Sequence, residues 1–220
     1  MREGVYGIFC YALFNACTLE DSFRVFHTLK GVFFLTQTQQ THHLAVAAML
    51  SAVAAVLQFV EFSIPIMPSF IKLDISDLPE LLAAFSLGPV YGVAVTFLKN
   101  LLHIVFKGTS SAYVGELCNF LLGASFVIPA GVLYQYKKNR KMAFVVAFIG
   151  AAVMALFSLP LNYFVTYPMY VNVYGLPMDA ILGMYNAILP GTDSLLKALV
   201  IFNLPFTFFK GMLDVALTFL

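Results

Sequence analysis

The chain has 220 residues, 61% of them hydrophobic and only 10% charged, with a mean hydropathy of +0.89. A soluble domain carries roughly 45–50% apolar and about 25% charged residues, so this composition is that of an integral membrane protein. A net charge of +1, with no basic patch interleaved with aromatics, argues against a nucleic-acid partner, and the three cysteines (Cys10, Cys17, Cys118) lack metal-ligand spacing, so no metal site is expected.

Residues 1–40 fit poorly with the apolar segments of 41–220. The stretch 4–17 is apolar but too short to span a bilayer, and 19–30 mixes Glu20, Asp21, Arg24 and Lys30. Arg2-Glu3 gives no net positive start and no small-x-small triplet makes a convincing cleavage site, which argues against a signal peptide. An N-terminal extension, a leader or a mis-assigned start, is expected over 1–40, with a membrane domain over 41–220.

Residues 43–60 form the first span, free of Asp, Glu, Lys and Arg. Ala47, Ser51 and Ala55 fall on one helical stripe, with Ala48 and Ala52 beside it. Such stripes let helices approach closely in lipid, and either packing within the chain or docking to a partner would use them.

Between 64 and 92, prolines, carboxylates and a lysine crowd between two apolar segments. Pro65 and Pro68 fix φ and remove donors, so 64–69 should not be helical. LDISDLPELLAAFSLGP then offers a helix with Ser76 or Asp77 as cap, Pro79 in its first turn and Gly88-Pro89 as its stop. This loop and short helix are a candidate lid over a site; an ordinary well-capped loop fits the same residues.

The short second segment is 78–87. The third, 89–106, is interrupted by Lys99, Asn100 and His103, and the fourth, 114–136, carries Glu116 and Asn119. It ends on Lys137-Lys138-Asn139-Arg140-Lys141, which the positive-inside rule places in the cytoplasm. The fifth, 144–165, has Pro160 as an expected kink and Asn162 near its end. A long loop rich in Tyr, Pro, Gly and Asn is expected over 163–194. The sixth segment, 195–220, contains Asn203, Pro205, Thr207, Lys210 and Asp214. The count gives six segments with both ends cytoplasmic and loops 61–77 and 166–194 outside.

Ionisable groups within spans are functional candidates. Lys210 leads, with Thr207 one turn before it; its acceptor would be Asp214, Asp77 or a ligand oxygen. Asn162 suits an amide or imide edge, or serves as interhelical glue. Lys99 is expected to pair with Glu116, and His103 to be a packed core histidine. No HExxH helix, GxSxG elbow or Walker A loop is present, and no histidine base neighbours a serine, so no enzymatic activity is expected. Without a P-loop, the energy for any uphill movement would come from another chain.

With these residues in view, 41–220 resembles the riboflavin-type substrate-binding (S) subunits of energy-coupling-factor (ECF) vitamin transporters. The carriers are FSIPIMPSFIKLDISDLPELLAAFSLGPVYG, FLKNLLH, VGELCNFLLG, LPLNYFVTYPMY and FNLPFTFFKG. The resemblance implies an all-α integral membrane protein, a six-transmembrane-helix bundle in a bacterial cell membrane. It would take riboflavin as transported ligand from outside, with no cofactor, and dock on a transmembrane coupling subunit driven by two ATPase subunits. Position by position, the flavin contacts would be Asp77, Asn162, Thr207 and Lys210, with Lys72, Asp74, Phe70 and Asn119 completing the candidate set. Thr207 stands where the family pattern has Asn, and Asn203, four residues away, is the alternative amide. Ala47, Ala48, Ser51, Ala52 and Ala55 would form the docking surface. The short basic tail of the pattern is missing after Leu220, which suggests truncation. Tyr163, Tyr167 and Tyr170 lie on the side where rings could stack on or cover a flavin. An S subunit for another vitamin, such as thiamine or a queuosine precursor, and a small intramembrane enzyme using Asp74 or Asp77 with Lys210 are the alternatives.

Overall fold

The structure is a computed structural model that describes residues 37–64, 67, 71–108, 113–175, 177–192 and 194–219. The expected extension therefore lies outside the described residues up to 36, and 37–40 already belong to the first helix. Two units divide the chain, Met1–Leu44 and Ala45–Leu220; the core, the cavity and the charge network all lie in the second.

Helix α1 (Gln37–Phe59) leads into a small antiparallel ladder of β1 (Phe62–Ser63) and β2 (Lys72–Leu73), with Phe62 opposite Leu73 and Ser63 opposite Lys72. The sequence gives no sign of this ladder, because two residues per strand leave no periodicity. The short helix α2 (Asp77–Ser86) begins where the Ser-Asp-Leu-Pro signal places it and stops at Gly88, whose φ of 110° suits only glycine. Ser76 stands at the cap position, but its side chain makes no cap hydrogen bond.

The long helices come next: α3 (Pro89–Lys107), α4 (Val114–Tyr136) and α5 (Arg140–Leu161). After them come α6 (Tyr167–Tyr174), α7 (Met178–Ile188), α8 (Leu195–Ala198) and α9 (Leu204–Phe219). Asn139 caps α5 by accepting from the Met142 amide at 2.7 Å. The expected 163–194 loop is thus a correction: most of it is helix, because Pro177 sits at a helix start, where a missing N–H breaks nothing, and a wide turn ahead of Pro168 lets the chain stay helical past it.

Among the described residues, five helices are long and apolar enough to cross a membrane: Gln39–Phe59, Pro89–Lys107, Val114–Tyr136, Arg140–Asn172 and Leu195–Phe219. The sixth expected segment is α2, whose 10 residues reach about 15 Å, half a hydrocarbon core.

Two of these spans contain a π-helical turn, Asn162–Thr166 between α5 and α6 and Leu199–Asn203 between α8 and α9. The wide bonds run from the Tyr167 amide to the Asn162 carbonyl and from the Leu204 amide to the Leu199 carbonyl. A proline lies just beyond each turn. Pro168 and Pro205 cannot donate to the carbonyls four residues back, and their rings crowd those carbonyls, so the helix loosens there. Pro160 lies inside α5, and the irregularity falls after it.

Lipid supplies no hydrophobic drive between helices, so close packing holds the bundle. Phe126, Val127 and Ala130 of α4, Ala147, Ala151 and Met154 of α5, Leu81 and Ala84 of α2, and Val215 of α9 form the central core. Glycines set its spacing: a Cβ on Gly150 would stand 2.6 Å from the Phe126 carbonyl oxygen, and one on Gly211 2.9 Å from the Ala151 Cβ.

The predicted α1 stripe divides. Ala47, Ser51 and Ala55 are buried, and Ala47 packs in a cluster with Ala54, Ala83 and Val95. Ala48 and Ala52, a turn-edge away, are exposed.

Gly150→Ala is expected to destabilise the bundle by about 1–3 kcal/mol, because the group it meets is backbone and cannot rotate away. Gly183→Ala, where nothing lies within 4 Å, should leave the melting temperature essentially unchanged. Thermal unfolding in detergent compares the two; equal melting points would mean the α4–α5 contact has slack.

Candidate functional site

Burying charge in a lipid-embedded bundle requires partners, and the 74–80 stretch supplies three carboxylates to two lysines. Lys99 of α3, fully buried, donates to Asp77 Oδ1 at 2.8 Å and to Ser76 Oγ at 2.8 Å, and forms an ion pair with Glu80. Thr96 Oγ1 donates to the other Glu80 oxygen at 2.8 Å. Lys210 of α9 lies 3.1 Å from Asp74 Oδ2 and 3.1 Å from Asp77 Oδ2. Asp77 therefore sits between both lysines, one on each oxygen. Asp74 in turn accepts from the Ser76 amide at 3.0 Å and from its hydroxyl, while the hydroxyl oxygen accepts from Lys99 instead of from a helix N–H.

One expected pairing is corrected here, and another is decided among its alternatives. Lys99 does not meet Glu116: α2 brings Asp77 and Glu80 to it first, while Glu116 faces His103 at 3.6 Å. The His103 ring also stacks on Phe59 at 5.5 Å. Lys210 takes Asp74 and Asp77 rather than Asp214, whose carboxyl is fully buried with neither oxygen hydrogen-bonded.

Beside this network lies a cavity of about 200 Å³. Its polar wall includes Asp77, Lys72, Asn119, Asn162, Thr207 and Lys210, six of the eight residues expected from the sequence. Asp74 stands behind Lys210 rather than on the wall, and Phe70 lies outside the described residues. The apolar wall comes from Ile71, Leu122, Met154, Tyr167, Tyr170 and Phe206. Tyr163, expected to cover a ligand, is not among the lining residues and packs edge-on against Phe164.

Local bonds decide what each amide can offer. Asn162 donates to the Ser158 carbonyl at 2.8 Å, leaving its oxygen for the cavity. Asn119 donates to Asn100 Oδ1 at 3.3 Å. Sequence patterns alone single out neither Thr166 nor Cys118; both line the cavity, their side chains 3.1 Å apart. Thr166 belongs to the π-helical turn, a feature with no residue signature beyond the nearby proline.

Outside the spans, Glu61 ties the loop together by accepting from Lys72 beside the cavity and from Lys107 at the end of α3. Burial works to raise the Glu61 carboxyl, but the hydrogen bonds and charges of Lys107 and Lys72 outweigh it and hold the group below its ordinary value of 4.5.

Residues 42–220 match the family described as ECF transporter, substrate-specific component. The riboflavin transporter RibU of Staphylococcus aureus (strain TCH60) is 41% identical over 138 residues, 63% of this chain and 72% of that protein. The riboflavin transporter FmnP of Bacillus subtilis (strain 168) is 33% identical over 171 residues, 77% of this chain and 84% of that one. A solved structure of the S component of a bacterial ECF transporter matches with a TM-score of 0.62 at 35% identity, covering 81% of this chain and 92% of that chain.

Removing one partner of a buried ion network strands the others. Lys99→Met is expected to cost about 3–5 kcal/mol, seen as a large drop in melting temperature, with part of it recovered in Lys99→Met/Glu80→Gln. No drop in the single variant would show that Asp77 and Glu80 find other partners. Because the folded-state value of Glu61 is lowered, its contribution is fully present above 4.5 and is lost as pH falls through the lowered value. Glu61→Gln should therefore flatten the decline of melting temperature on acidification below pH 4.5, and identical slopes would remove Glu61 as the loop's tether.

Proposed function

Since the chain belongs to the substrate-specific components of ECF transporters, we propose that it binds riboflavin in the cavity lined by Asp77, Asn162, Thr207 and Lys210 and passes it to an ATP-driven coupling complex. It is a multi-pass membrane transport component, not an enzyme. The observation that carries the ligand assignment is one cavity lined both by aromatic rings and by amides, a hydroxyl and an ammonium. Riboflavin has matching parts: a flat ring system, an imide edge and a polyol.

The roles follow from the bonds already made. Lys210 has three donors; Asp74 and Asp77 take two, and the third is left for a flavin oxygen or ring nitrogen. Asn162, its NH₂ held by the Ser158 carbonyl, presents an oxygen that can accept the imide N–H. Tyr167, Tyr170 and Phe206 supply the apolar faces. Lys72 and Asn119 contribute further polar contacts, and Asp74 acts on the ligand only through Lys210.

The site lies at the end of the bundle formed by the start of α4, the end of α5 and the start of α9. The Lys137, Lys138, Arg140 and Lys141 cluster lies at the opposite ends of α4 and α5, which supports an outward-facing site in a bacterial cell membrane with cytoplasmic chain ends. The partners would be a transmembrane coupling subunit and two ATPase subunits. Ala48 and Ala52, exposed among Met49, Val53 and Val56, are the part of the α1 stripe still free to meet the first of these.

Detergent-purified protein from a rich medium is expected to be yellow, and the ligand-free form to quench riboflavin fluorescence on titration. Colourless protein that fails to quench would overturn the assignment. Lys210→Ala should weaken binding by about one to two decades, the loss of a charge-assisted hydrogen bond of roughly 1.5–3 kcal/mol. Ala48→Leu/Ala52→Leu should bind riboflavin normally yet lose uptake, because bulk on that face blocks close helix approach. Normal uptake by this variant would place docking elsewhere.

A further inference from the structure

A side-chain amide has an acceptor end and a donor end of nearly identical shape, so whichever neighbour holds one end decides what the other presents. Asn203 lines the cavity from the π-helical turn Leu199–Asn203 and is only 6% exposed. Its Oδ1 accepts from the Tyr185 hydroxyl at 3.1 Å. Tyr185 belongs to α7, outside the five spans, and does not line the cavity. It is fully buried, its ring packs on Phe202 at 5.2 Å, and its hydroxyl is also hydrogen-bonded to that of Tyr167 on the cavity wall. Burial pushes the Tyr185 phenol up to about 12, so it keeps its proton and remains a donor at neutral pH.

We propose that Asn203 is a ligand-binding donor and that Tyr185, without touching the ligand, is the positioning residue that turns the Asn203 NH₂ toward the cavity. This deepens the riboflavin reading and rests on it. The fit is chemical: with its oxygen turned to Tyr185, Asn203 has its NH₂ at the opposite end, and an NH₂ has two hydrogens, so one remains even where Tyr167 takes the other. Its target is an acceptor of the flavin ring, a carbonyl oxygen or ring nitrogen. Asn162 has one N–H held by the Ser158 carbonyl and adds an oxygen as acceptor. An imide edge alternates acceptor and donor, and the two asparagines, each on a π-helical turn, supply one of each. Helix α7 thereby becomes part of the selectivity apparatus although none of its residues lines the cavity.

Riboflavin titrations with Asn203→Ala, Tyr185→Phe and the double variant test this, with absorption spectra of bound flavin and melting curves in parallel. Asn203→Ala is expected to weaken binding by about 3- to 10-fold, the range for one neutral hydrogen bond. Tyr185→Phe, which removes a single oxygen and keeps the ring packing, should weaken binding by a comparable factor, since the freed amide can flip. The double variant should be no worse than Asn203→Ala, because both act through one contact. The bound-flavin absorption bands should shift in the same sense in both single variants, a readout that looser packing alone would not give. Wild-type affinity and spectrum in Asn203→Ala would overturn the donor role. Losses that multiply in the double variant would overturn the positioning role. A wild-type protein that does not bind riboflavin would sink both this proposal and the reading beneath it, whereas the variant outcomes leave that reading intact.

Discussion

Asp77 lies between two lysines from two different helices, and the rest of the site depends on that arrangement. In a lipid-embedded bundle neither ammonium can stay charged without a partner, and there is no water to substitute. Lys99 from α3 and Lys210 from α9 converge on one residue at the start of α2. The short helix and its preceding loop are thereby tied to two walls of the bundle at once. Such a network is a poor source of net stability, since desolvating five charges offsets most of their attraction. Its effect is positional: with Lys99 bound to Asp77 and Glu80, and Lys210 to Asp74 and Asp77, the 72–86 segment has one low-energy seat. The cavity borders that seat and inherits its definition.

The division of labour between the lysines comes from depth. Lys99 is completely enclosed and has all its contacts within the protein, so its role is internal. Lys210 keeps a face on the cavity while its carboxylates hold it from behind. A donor anchored in this way needs little reorganisation when a ligand arrives. Glu61 does on the exposed side what Asp77 does inside, joining Lys72 of the loop to Lys107 of α3 through one carboxylate.

Much of this was legible in the sequence because it depends on local chemistry. Uncharged apolar runs mark the spans, Ser76-Asp77-Leu78-Pro79 marks a helix start, and Asn162, Thr207 and Lys210 stand out as polar groups in apolar helices. What was not legible depends on which helix lies beside which. Spacing puts Ala47, Ser51 and Ala55 on one stripe but does not say whether the stripe faces inward. It cannot choose between Glu116 and Glu80 for Lys99, since that depends on how α2 tucks against α3. Residues 163–194 looked like loop because Tyr, Asn, Gly and Pro dilute the hydropathy, yet their prolines stand where helices tolerate them.

The two π-helical turns act as phase adjusters. Each residue of an α-helix advances about 100° around the axis, so one residue accommodated in a wide turn rotates everything after it relative to everything before it. Downstream of Leu199–Asn203 lie Thr207 and Lys210, and their direction toward Asp77 is set by that added angle. Deleting a single residue from the turn would leave a chain of nearly unchanged hydropathy, still long enough to cross the bilayer, while swinging the lysine away from its carboxylates.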